Sequence, residues 1–411
     1  MTADPPVERP DHAGDTLLSI LQGRRADDLY DAYAHLRATA PLFRYRNIWA
    51  VTRYADCQAV MRDRVLGKGS GQAFDLPGFE RREELDLSAI PSLLFLNPPD
   101  HTRLRRLVSR AFTPRRVEAL RPIVDRAVAT LLDELAEQGS DGGSVDLMET
   151  LAFQLPIQVI GDLIGVPAGD RELFRRLVPM GSKWIEPGAT EVEVKEGRDA
   201  ALTMITYFGD LLRERRNAPQ DDLFTALIEV RDDDGTKLSR RELIINTIQL
   251  FSAGFHTTQN MIGNGLWALL DHPDAFAALG ADPSILPLAV EELLRFDTVT
   301  QAIGRMALEP TTIGGQPIAE GEWVLAFLGS ANRDPAAFDE PDVLRLTRTP
   351  NDHLSFSAGV RHCLGASLAR MELGLVFGAV AARFPGMTLA RVPTRREGML
   401  VRGPARLEVR W

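Results

Sequence analysis

Phe356-Ser-Ala-Gly-Val-Arg-His-Cys-Leu-Gly365 is the stretch on which the reading of this sequence turns. Cys363 stands two residues after Arg361 and just before a helical run that opens near Ala366. Free N–H groups and the macrodipole at a helix start favour a thiolate, and the neighbouring guanidinium adds positive charge. Gly359 and Gly365 remove side chains on either side, which lets a bulky flat group lie against the backbone. On the residues alone several readings compete. A free cysteine is often a small core residue. A nucleophile paired with His362 is weaker, because adjacent residues on a loop rarely point at one another. Covalent attachment of a c-type haem needs two cysteines ahead of a histidine, and this stretch has one.

The rest of the chain sets the frame for that loop. With 411 residues, 45% of them apolar and 25% charged, the composition is that of a globular protein with a substantial core. A net charge of −10 without a basic tail or stripe argues against a nucleic-acid binder. Cys57 and Cys363 are too few for a disulfide framework or a cysteine-rich zinc site. No run approaches twenty apolar residues, and the N-terminus lacks the basic start and apolar segment of a secretory signal. These features predict a cytoplasmic chain with reduced thiols, no membrane anchor and a monomeric state. Residues 1–14 read as a disordered arm and 15–411 as one domain.

Helical periodicity dominates, at Asp27–Thr39, Arg115–Glu137, Asp146–Val166, Glu191–Arg216 and Ala366–Arg383. Ser239-Arg-Arg-Glu242 is a capping box, and the helix it starts runs unbroken to His272-Pro273. That is roughly 33 residues, about 50 Å at 1.5 Å per residue, against a usual three turns. A helix of that length must cross the molecule. Strand-like alternation is confined to Ile48–Thr52, Thr311–Phe327 around Gly314-Gly315, and Met387–Trp411.

The cysteine loop resembles the haem-binding loop of cytochromes P450. That pattern runs Phe, two residues, Gly, one residue, a basic residue, one residue, Cys, one residue, Gly. Phe356, Gly359, Arg361, Cys363 and Gly365 fill all five positions. The resemblance implies that Cys363 is the axial thiolate on the iron of haem b and that Arg361 pairs with a haem propionate. It extends over nearly the whole chain. Glu292-Leu-Leu-Arg295 matches the family's Glu-x-x-Arg, which with Arg348 implies a structural triad. Read alone, that pair would be a solvated i, i+3 contact. His101 and Arg105, at i, i+4 in Asn97–Arg106, are implied propionate contacts, as is Arg305 on the strand after the Glu-x-x-Arg helix. The implied fold is mainly α with a small β lobe, a triangular helical prism whose long central helix passes over the haem.

By the same resemblance, Ala253, Gly254 and Thr257 of the long helix form an oxygen groove, with protons passing through the Thr257 hydroxyl. The alternative on the residues alone is a small-residue helix crossing with Thr257 bonded to the i−4 carbonyl. The family carries Asp or Glu just before this threonine, and here His256 stands there. An imidazole relays protons near neutral pH. The departure leaves three readings: His256 as relay, a reaction less dependent on dioxygen scission such as oxidative coupling, or a side chain pointing away from the site.

The resemblance implies a monooxygenase that uses O2 to hydroxylate or epoxidise a medium-sized organic substrate, plausible in secondary metabolism. Electrons would come from NAD(P)H through an external ferredoxin and ferredoxin reductase. Arg106, Arg110, Arg115 and Arg370 are candidates for docking that acidic partner. The substrate, free or carrier-protein-bound, would meet Gln72–Phe95, Phe174–Val194, Gln249, Ala253, Val299, Ile303, Met399 and Leu400. A rival of another class is a non-catalytic haem-binding sensor or scaffold protein.

Overall fold

The structure is a computed structural model that describes residues 10–69, 90–183, 190–396 and 401–411. The contacts group the chain into two compact units. One takes residues 1–81, 260–363 and 381–411; the other takes 82–259 and 364–380. The chain returns to each unit after leaving it, so no linker composition marks a boundary.

The first unit holds a five-stranded sheet in the order Leu42–Tyr45, Ile48–Val51, Trp323–Ala326, Ile303–Ala307 and Leu66–Gly67. Ile48–Val51 and Trp323–Ala326 are parallel, and the other neighbours are antiparallel. Alternation sorts the side chains. Ile48 and Ala50 join Leu17, Tyr33, Leu36 and Phe327 in one core cluster, while Val51, Val324 and Ala326 join Cys57 and Val60 in another. The hairpin Thr311–Ile313/Gln316–Ile318 turns on Gly314 and Gly315, both at positive φ, as a two-residue loop requires.

The expected arm over 1–14 is partly helical: Pro10–Leu21 is the first helix. Ala13, Leu17, Ile20 and Leu21 recur at helical spacing and are buried. Gly14 lets the helix close on Tyr45, whose ring would lie 2.4 Å from a Cβ there.

In the second unit the run expected at Arg115–Glu137 divides into Pro114–Ala119 and Arg121–Gln138. Pro122 has no N–H to give the carbonyl four residues earlier, so the ladder breaks before it. Asp146–Val166 likewise opens with a π turn, Met148–Ala152, followed by the helix Gln154–Ile164. Gly165 ends that helix at φ 90°. Thr190 and Glu193 form a capping box at the start of Glu191–Asn217.

The long helix runs Arg240–Asp271, 32 residues. Ser239 and Glu242 bond each other's backbone N–H at 2.8 and 3.2 Å. Its residues to Gln259 belong to the second unit, where Phe251 packs on Phe174 with ring centroids 4.6 Å apart and Phe255 on Phe153 at 4.8 Å. Among the described residues no helix is long and apolar enough to cross a membrane.

Candidate functional site

The cysteine loop is closed by its own backbone. Cys363 N donates to the Phe356 carbonyl at 2.9 Å, and His362 N donates to the Gly359 carbonyl at 3.1 Å across a 3-10 turn. Gly359 sits at φ 66°, and a Cβ there would come within 2.9 Å of the Met61 carbonyl oxygen, so no larger residue fits. Among the described residues a Cβ at Gly365 would meet no atom within 4 Å, so their packing does not demand that glycine. The two cysteines part company. Cys57 is fully buried and donates its thiol to the Val51 carbonyl at 3.3 Å, and burial pushes its pKa far up, which makes it an inert core thiol. Cys363 is exposed.

Arg305 stands buried on the strand Ile303–Ala307, where burial and the Arg361 charge push its pKa down to about 10. A third cation joins them that the sequence reading missed. Lys68 Nζ reaches the Gly304 carbonyl at 3.4 Å, and burial together with Arg305 and Arg361 holds its pKa well below the ordinary lysine value.

Glu292, Arg295 and Arg348 meet in the interior. Arg295 donates to both carboxylate oxygens of Glu292 at 2.8 Å, and Arg348 Nε donates to them at 3.1 and 3.0 Å. The spare guanidinium hydrogens go to carbonyls, Arg295 to Asn332 and Pro341, Arg348 to Asp339 and Glu340. The triad thus ties the helix Leu286–Phe296 to the irregular segment that precedes the cysteine loop.

A second buried network was not read from sequence. Asp297 accepts from Tyr30 Oη at 2.9 Å and Arg402 Nε at 3.0 Å, and pairs with Arg395 at 2.7 Å. Burial alone would raise its pKa; Arg395 and Arg402 hold it below the ordinary value. The network fixes the contact of Thr300 with Val401 and the bond from Arg402 N to the Val299 carbonyl at 2.8 Å. Val299 and half-buried Ile303 are pocket candidates of this first unit. Met399 and Leu400 lie outside the described residues, as do Gln72 to Ala89 of the expected pocket loop.

In the second unit, buried His101 and half-buried Arg105 lie one turn apart on the helix Asp100–Ala111. On the long helix, Ala253 and Thr257 are exposed one turn apart, with Phe255 buried between them, and Thr257 Oγ1 donates to the Ala253 carbonyl at 2.8 Å. Gly254 has a packing reason of its own, since a Cβ there would lie 3.0 Å from Ile160 Cδ1. His256 borders a cavity of about 1050 Å³ together with Gln249 and Ala253. One wall of that cavity is the segment after Ile90, which two helix side chains pin in place. Asn246 accepts from Leu93 N at 3.0 Å and donates to the Pro91 carbonyl at 2.8 Å; Gln249 accepts from the Ser92 hydroxyl. A lone Asn inside an apolar helix carries no sequence signal of that duty.

Of the basic residues considered for partner docking, Arg106 and Arg110 are engaged in ion pairs. Arg106 bonds buried Asp232, and Arg110 bonds Asp233 at 2.6 Å. Their charges hold the 231–236 loop rather than stand open.

The cytochrome P450 family model matches residues 190–282 and 284–410. Cytochrome P450 107B1 of Saccharopolyspora erythraea is 38% identical over 399 residues, 94% of this chain and 95% of that protein. The mycinamicin IV hydroxylase/epoxidase of Micromonospora griseorubida is 40% identical over 391 residues, covering 92% and 94%. The crystal structure of P450BioI in complex with an acyl carrier protein ligated to hexadec-9Z-enoic acid is similar at a TM-score of 0.87, with 33% identity over 95% of this chain and 99% of that one. The chain belongs to the cytochrome P450 family and is a monooxygenase of that family.

Proposed function

We propose that Cys363 is the axial thiolate of haem b and that the enzyme hydroxylates or epoxidises a medium-sized, largely apolar organic substrate. Electrons arrive from NAD(P)H through a separate ferredoxin and its reductase. The observation that carries this reading is the exposed thiol of Cys363 at the end of a loop closed on the Phe356 carbonyl, in a chain whose other cysteine is a core residue.

The residues suit the group. A haem offers a metal for one thiolate, two carboxylates for cations and a flat face. Cys363, the cations Arg305 and Arg361 of the first unit and His101 and Arg105 of the second match those needs in kind. Gly365, which no described neighbour forces to be glycine, fits a cradle for the flat face. When bound, the haem supplies oxygen activation, and thiolate donation favours O–O cleavage.

The chain's own part is protons, position and exclusion of water. Thr257 donates its hydroxyl hydrogen to the Ala253 carbonyl, which leaves its oxygen lone pairs to accept from a proton-carrying water, and handing a proton on requires the hydroxyl to turn from that carbonyl. His256, on the cavity wall with Gln249 and Ala253, supports a relay reading over a side chain turned from the site. The cavity's volume, at the upper end of small-molecule pockets, and its walls of Phe95, Leu202, Ile205, Ile244 and Ile248 favour an apolar body. Ser92, Gln249 and His256 supply the orienting polar contacts. Such a substrate would be free, or presented on a carrier protein as in the P450BioI complex. A spin-state titration against candidate ligands, followed by turnover with ferredoxin, reductase and NAD(P)H, tests the reading. A chain that binds haem but converts no spin-shifting ligand would count against an enzyme and for a scaffold.

A further inference from the structure

The described residues that line the cavity of about 1050 Å³ all belong to the second unit. On the long helix its wall runs from Arg240 and Arg241 through Ile244, Ile245 and Ile248 to Ala253 and His256. From Arg241 to Ala253 is about 18 Å at 1.5 Å per residue, so the cavity follows the helix as a long apolar tract with cations at one end. Leu94, Leu202 and Ile205, three of the exposed large apolar side chains, line it too. Exposed apolar surface rimmed by charge marks a binding face.

Arg240 is seated against the opposite wall. Its Nη2 lies 3.3 Å from the Cβ position of Gly209 on the helix Glu191–Asn217, and Ile244 Cδ1 lies 3.9 Å from it. Glycine inside a helix costs about 1 kcal/mol against alanine, and here it leaves room for that guanidinium. Arg198, also on the wall, stands about 16 Å from Gly209 along its helix and is a separate feature of the rim.

The fold makes no other use of the two arginines. Among the described residues neither has a hydrogen-bond or ion-pair partner. Glu242, next in the chain, is taken by Arg103 and the Ser239 N–H, and Asp210, beside Gly209, by Arg213. Cations in the first turn of a helix oppose its macrodipole, so helix stability does not call for them. An exposed arginine is ordinary on its own. Two without an acceptor, at the end of an apolar tract, are suited to recognition, because guanidinium groups match carboxylate oxygens in pairs.

We propose that Arg240 and Arg241 bind a carboxylate at one end of an elongated apolar substrate, whose uncharged end then reaches Ala253 and His256. The inference rests on the reading of this cavity as the substrate site and names the class it takes, elongated carboxylic acids.

The test uses the holoenzyme and the double variant Arg240→Gln/Arg241→Gln. The probes are dodecanoic, tetradecanoic and hexadecanoic acids and their methyl esters. Titration calorimetry reads binding, and the Soret band reads the spin change. In the parent at least one acid should bind about tenfold more tightly than its ester, the size of a charge-assisted contact reduced by exposure. Added salt should weaken that preference, because the pair faces solvent. In the double variant acid and ester should bind alike, with the ester's affinity that of the parent. A parent that binds no acid more tightly than its ester, or a preference that survives in the double variant, would overturn the proposal. Failure of the cavity reading shows differently: the acids bind with the expected preference in the calorimeter yet leave the spin state unmoved.

Discussion

Arg295 donates two hydrogen bonds of 2.8 Å to the two oxygens of Glu292, three residues earlier on the same helix, and neither side chain is exposed. Arg348 approaches the same carboxylate from another segment, so one anion balances two buried guanidinium groups. Glu292→Ala would strand both cations. We expect a loss of about 3–5 kcal/mol, the usual result of breaking a buried pair from one side. Urea unfolding of the variant measures it, and a change below about 1 kcal/mol, typical of an exposed pair, would contradict a buried keystone.

Glu372 gives a pH signature of the opposite kind to most carboxylates. It is 2% exposed, one of its oxygens has no hydrogen-bond partner among the described residues, and burial pushes its pKa from the ordinary 4.5 to about 8. Between those values the folded chain keeps a proton that the unfolded chain has released. Stability from this group therefore falls as pH rises through the window and levels off above about 8. Glu372→Gln should raise Tm relative to the parent above pH 8, with the difference shrinking towards pH 4.5. A difference that does not depend on pH would show that the acid does not titrate in that range.

Asn246 holds the cavity wall through both ends of its amide, at Leu93 N and the Pro91 carbonyl. Asn246→Ala leaves both groups without that partner. Ligands that induce the spin change should bind several-fold more weakly to this variant, with the carbon-monoxide spectrum unchanged. Unaltered ligand affinity would mean that the wall keeps its place without the amide.

Thr257→Ala removes the hydroxyl held at the Ala253 carbonyl. Peroxide release per NAD(P)H consumed should rise and product fall, since oxygen is reduced without proton delivery in step. His256→Gln should do the same to a smaller degree if the imidazole relays protons. Intact coupling in His256→Gln would remove the relay and leave His256 as a cavity contact.

What the sequence reveals depends on how local the cause is. The capping box Ser239/Glu242 and an unbroken apolar period made the long helix readable, because both signals lie within a few residues of the structure they form. The cysteine loop was readable for the same reason, five residue types at fixed spacing. The helix from Pro10 was hidden by a proline-rich start, although Ala13, Leu17 and Ile20 carry its period. Lys68 was invisible because it is a single cation beyond a two-residue strand, and the carbonyl it meets lies 236 residues away. Asp297 with Arg395 and Arg402 was missed likewise, since each partner reads alone as an ordinary charged residue. Arg106 and Arg110 show the converse: a basic helix face in sequence is, in the fold, a clamp on Asp232 and Asp233.

The central claim is that Cys363 binds haem iron as a thiolate, and the reduced carbon-monoxide complex tests it most directly. The parent protein should show a Soret band red-shifted from that of an imidazole-ligated haem protein, and Cys363→His should keep haem but lose the shift. A parent band without the red shift, or a Cys363→His variant that retains it, would contradict the account.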